Sequence, residues 1–89
     1  MSIAGRLRAK LEAGLAPLRV EIVDESAAHA GHAGARPGGE THFRVVVVAA
    51  AFAGLGRVER QRLVYDVLAE ELAGPVHALS LTAKAPGEA

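Results

Sequence analysis

The four histidines are the side chains best suited to holding a transition metal or moving a proton near neutral pH. His77 interrupts "GPVHALSL", an apolar run in which another leucine would pack at lower cost. His29 and His32 lie three residues apart in "DESAAHAGHAG", and His42 opens "THFRVVVV". His77 shares strand parity with Leu79 and Leu81, so it points toward their face, at the rim of a core. There it is either a packed histidine bonded to backbone or a ligand. His29 and His32 are either solvated loop residues or an adaptable ligand arm, with Gly31 and Gly34 freeing the backbone. His42 alternates with Arg44 and is expected on a solvated face, in a mainly structural role, although it could approach the same rim.

The sequence has no cysteine, so disulfides, a cysteine nucleophile and a self-sufficient thiolate site are excluded. Glu25 and Glu40 are the only extra ligands near the loop histidines, and nothing completes a structural zinc site. Ser26 and Ser80 lack a G-x-S-x-G context, and Asp24 is the only aspartate near the loop. "GLG" at Gly54 to Gly56 fits neither a phosphate loop nor a dinucleotide fingerprint. No enzymatic activity is expected.

The elements that must position the histidines follow from periodicity. Ser2 can cap a first helix, assigned to residues 1–17. Ile3, Leu7, Leu11 and Leu15 form its stripe, and Gly14 and Pro17 end it. "LRVEIVDES" alternates as a strand with one solvated face. Residues 24–39 change to Ala, Gly, His and Pro and form the loop carrying His29 and His32; long loops in compact domains often carry function. "THFRVVVV" resumes as a strand, and its continuous valines suggest burial on both faces or by a partner. "RVERQRLVYDVLAEELAG" is the longest helical pattern. Val64, Val67, Leu68 and Leu72 face inward on it, and Arg60, Arg62, Asp66, Glu70 and Glu71 face out. Gly74 and Pro75 stop it, "VHALSLTA" is the third strand, and residues 83–89 are a frayed tail.

The order is α-β-β-α-β. The first two strands should pair antiparallel, and a helical crossover makes the next pair parallel. The expected class is α+β, a small three-stranded mixed sheet with helices on one face, in a single domain over 1–89. The chain has 89 residues, half of them hydrophobic, and carries ten basic against ten acidic side chains. That neutrality argues against gripping phosphate backbones as the main task. The first residues do not form a signal peptide, and the longest apolar run is shorter than the ~20 residues of a membrane span. A cytoplasmic protein without membrane contact is expected.

Taken together, "VDESAAHAGH", "ETHFRVVVV", "FAGLGRVERQRLVYDVLAEEL" and "VHALSL" resemble the BolA family, in that order and at its spacing, over nearly the whole chain. One departure is "RQR" at Arg60 to Arg62, where Gln61 replaces a histidine common in the family. The resemblance implies a class II KH-like fold. It also implies a monothiol glutaredoxin partner, with which a 2Fe–2S cluster is shared together with glutathione. The implied ligands are His77 and His29, with His32 a neighbour able to substitute for His29. The thiolates would come from the partner and glutathione, so the isolated protein should be iron-free, a monomer or weak dimer. Neutral imidazole is the ligand form, so assembly should weaken as pH falls through the histidine range. The alternative is a transcriptional regulator that binds DNA weakly through Arg57, Arg60 and Arg62. Against it, these arginines could simply be solvated and paired with Glu59 and Asp66, and "GLG" lacks the G-x-x-G of nucleic-acid-binding KH domains.

Overall fold

The computed structural model describes residues 2–25 and 41–88. Helix α1 spans Ile3–Leu15, strand β1 Arg19–Asp24, strand β2 His42–Val48, helix α2 Arg57–Val67, helix α3 Ala69–Ala73 and strand β3 Ala78–Lys84. A short 3-10 turn, Ala50–Phe52, comes after β2. The expected α+β class and the mixed sheet are present.

Ser2 caps α1 as its chemistry suggests, its Oγ accepting the Gly5 N–H at 2.9 Å. Leu7, Leu11 and Leu15 on the stripe are buried. Gly14 does not end this helix. It lies inside it, where a Cβ would stand 2.9 Å from Val67 Cγ2, so its bareness lets α1 approach α2. The helix stops at Ala16, which takes the left-handed conformation at φ 45° and returns its N–H to the Glu12 carbonyl.

In the sheet, β2 is central, antiparallel to β1 and parallel to β3. Val20, Val47 and Ala83 lie side by side in register, as do Ile22, Val45 and Leu81. The four-valine run alternates after all: Val45 and Val47 are fully buried under the helices, while Val46 and Val48 on the opposite face are half-buried. Phe43, Phe52, Val64, Leu68 and Val76 complete the core.

The long helical pattern is broken. Leu68 leaves helical geometry at φ −102°, ψ 18°, separating α2 from α3, yet its side chain stays fully buried with Val64. Glu71 nevertheless stays on the face of Val64 and Leu68, seven and three residues before it. Glu71, expected to face out, is fully buried. Its Oε2 accepts Arg6 Nη2 at 2.8 Å, and Lys10 Nζ stands 3.0 Å from Oε1 as an ion pair without hydrogen-bond alignment. Burial pushes this carboxyl up, but Lys10, a backbone hydrogen bond and Arg6 together more than offset that and hold it below its ordinary value. The pair fastens α1 to α3.

The expected frayed tail is held as far as Glu88. Residues 83 and 84 belong to β3, Ala85 is buried, and the Glu88 carboxylate accepts both the Ala85 N–H and the Arg60 guanidinium. No helix among the described residues is long and apolar enough to cross a membrane.

Candidate functional site

Parallel pairing sets the starts of β2 and β3 side by side, with His42 opposite Ala78. The turn before β3 is fixed by backbone bonds. Val76 donates its N–H to the Glu71 carbonyl at 2.9 Å and buries its side chain. The next two amides, of His77 and Ala78, both donate to the Thr41 carbonyl, at 2.8 and 3.1 Å. His77 departs from the parity of Leu79 and Leu81. It precedes the strand rather than belonging to it, and it is exposed, not packed at the core rim. A backbone held on two sides with an exposed imidazole is a well-positioned donor.

His42 departs from expectation in the opposite sense. It is only 7% exposed, and its Nδ1 lies 2.8 Å from the buried Thr41 hydroxyl. The His42 and His77 rings are 5.4 Å apart between centroids and tilted by 57°. Strand parity placed His42 on a solvated face, but the parallel neighbour brings His77 beside it. A hydrophobic pattern carries no record of that long-range register, so the pairing could not be read from spacing alone.

His29 and His32 lie outside the described residues. The described chain nevertheless fixes both ends of the segment that bears them. Glu25 donates its N–H to the His42 carbonyl at 2.8 Å, and its carboxylate pairs with Arg44. Thr41, where the description resumes, accepts from His77. Both ends therefore sit at the His42–His77 end of the sheet. Among the described residues, no three His, Asp or Glu side chains come together as a metal site.

The three arginines of the alternative reading differ from one another. Arg60 is committed inside the fold: Nε donates to the Leu55 carbonyl at 2.9 Å, Nη1 to the Ala83 carbonyl at 3.2 Å, and both Nη atoms to Glu88, at 2.5 and 2.8 Å. The Arg60 guanidinium, helped by the Ala85 N–H, pulls the Glu88 carboxyl down to about 2. Arg57 and Arg62 are exposed, and the expected pairing with Glu59 and Asp66 does not form among the described residues. Arg57, Arg60 and Gln61 line a groove of about 650 Å³ between α2 and β3.

A family model described as BolA-like protein matches residues 11–88. BolA-like protein 1 of Mus musculus is 49% identical over 86 residues, covering 97% of this chain and 60% of the relative, so the chain spans about three-fifths of that protein's length. The structure of the BolA domain of SufE1 from Arabidopsis thaliana superposes with a TM-score of 0.88 at 46% identity, covering 100% of this chain and 98% of that one. The DNA-binding transcriptional regulator BolA of Escherichia coli (strain K12) is 44% identical over 81 residues, covering 91% of this chain and 73% of the relative.

Proposed function

Because the chain belongs to the BolA-like protein family, we propose that it binds a 2Fe–2S cluster jointly with a monothiol glutaredoxin and glutathione, serving cluster assembly, trafficking or iron regulation. In this reading it is a binding partner, not an enzyme. The observation that carries the reading is the convergence at one end of the sheet. His77 is exposed there on a doubly anchored backbone, and the segment bearing His29 and His32 leaves and returns there. His29 is four residues past Glu25 in the sequence.

The donor set suits half of such a cluster. Two imidazoles can hold one iron while thiolates hold the other, and a chain without cysteine leaves the thiolates to its partners. His77 serves as the fixed ligand and His29 as the adaptable one, with His32 in reserve. His42, with Nδ1 against the Thr41 hydroxyl, stands beside the His77 ring. When bound, the cluster supplies a redox-active iron–sulfur unit that can be passed on.

The test is reconstitution with a monothiol glutaredoxin, glutathione, iron and sulfide, followed by visible circular dichroism. The chain alone should stay colourless. His77→Ala should abolish the cluster spectrum, His29→Ala should weaken it, and His32→Ala should change little. The His29/His32 double variant should match His77→Ala. A parent spectrum retained by a folded His77→Ala protein would refute the reading.

The name of the Escherichia coli relative favours a second reading, DNA binding through Arg57, Arg60 and Arg62. Arg60's internal bonds leave Arg57 and Arg62 as the available cations. If they grip phosphates, affinity should fall steeply with salt, and replacing both by Gln should flatten that dependence.

A further inference from the structure

The groove between α2 and β3 is unused by the cluster reading. Its floor is the last strand of the sheet: among the described residues β3 pairs only with β2. The direction of its backbone groups is set by two bonds. The Ala78 N–H goes to Thr41, and the Lys84 carbonyl accepts from Ala49. Residues of that parity face β2, so Leu79, Leu81 and Ala83 direct their N–H and C=O groups to the open edge.

The two ends of this edge are treated differently. At the Ala83 end, the carbonyl is taken by Arg60 and the following Ala85 N–H by Glu88, which closes the edge. Among the described residues, the Leu79–Leu81 stretch has no such cover, and it borders the groove together with Tyr65 and Gln61. Arg57, Gln61 and Tyr65 succeed one another at helical i, i+4 spacing, so one face of α2 forms the opposite wall. Arg57, one turn before Arg60, forms no ion pair among the described residues. Arg60 is matched by Glu88, which leaves Arg57 as a groove-lining cation without an ion-pair partner among the described residues.

We propose that this groove binds an extended acidic peptide of a partner protein, which adds as a fourth strand along the Leu79–Leu81 edge of β3 and sets a carboxylate against Arg57. Edge addition takes its affinity from main-chain hydrogen bonds, which Leu79 and Leu81 offer, and its selectivity from flanking side chains. A peptide fits this surface better than nucleic acid. The groove floor offers strand backbone groups for a peptide to pair with, and its lining has a single aromatic ring, Tyr65, on which a base could stack.

The probe is an acetylated peptide alternating valine and glutamate, matched in length to the seven residues of β3. Its controls are a valine–lysine version, an N-methylated version and a single-stranded oligothymidylate. The readout is amide hydrogen exchange of the full chain by NMR. The acidic peptide should slow exchange at Leu79 and Leu81 by about tenfold at saturation, and the N-methylated peptide should not. Arg57→Glu should weaken the acidic peptide by about fivefold or more and improve the lysine version. The proposal is overturned if millimolar acidic peptide leaves Leu79 and Leu81 unprotected, if Arg57→Glu has no effect, or if oligothymidylate protects these amides more strongly than the peptide.

Discussion

Removing Glu71 and removing its two cations should have unequal consequences, although each breaks the same contact. Glu71 is fully buried, whereas the Arg6 and Lys10 side chains are 39% and 32% exposed. Without Glu71, water can still solvate both cations. Without the cations, a carboxylate remains in the interior with only a backbone hydrogen bond to offset its lost hydration. Glu71→Gln keeps the volume and an acceptor, so it should cost little. Arg6→Ala combined with Lys10→Ala should leave the Glu71 carboxylate uncompensated. Such a buried charge costs about 3–5 kcal/mol, a large share of a small domain's stability. The exposure of the cations argues for the low end, because water reaches the rim of the site. The pH dependence should invert as well. In the parent, the folded-state pKa of Glu71 lies below 4.5. Its stabilisation is therefore present above pH 4.5 and lost as pH falls through the folded value. In the double variant burial outweighs the remaining backbone hydrogen bond, so the folded pKa should rise above the unfolded one and stability should fall as pH rises through it. Urea denaturation midpoints at a series of pH values, each taken as the difference from Glu71→Gln, isolate this group from other carboxylates. Equal losses in Glu71→Gln and the double variant, or a parallel pH dependence in parent and double variant, would refute the reasoning.

Leu68→Ala should destabilise by about 2–5 kcal/mol, since the side chain is fully buried at the joint between α2 and α3; an unchanged urea midpoint would contradict its place in the core. Ala16→Gly should raise the midpoint, because φ 45° strains alanine by roughly 1 kcal/mol and glycine's unfolded-state entropy offsets only part of that gain. Glu88→Gln should speed exchange of the Ala85 amide, which loses a charged acceptor. In the parent, the Glu88 carboxyl is depressed to about 2, so the protection should persist above pH 4.5 and disappear as the pH falls from there toward 2.

What the sequence determined on its own is what repeats locally. The Ile3–Leu7–Leu11–Leu15 stripe, the alternation in β1 and the Gly74–Pro75 stop are set by side-chain spacing and backbone chemistry, so element order and sheet topology were legible. The resemblance to the BolA family rested on motifs in order, and it too was available before any coordinates. Three features waited for the tertiary structure because each joins residues far apart in the chain. Glu71 reads as solvated until α1 packs against its face and brings Arg6 and Lys10 to it. Arg60 reads as a surface cation until β3 and the turn after it supply Ala83 and Glu88. His42 reads as solvated until the parallel register lays His77 beside it. Periodicity says which residues of one element share a face; only the packed chain says which distant residues that face will meet.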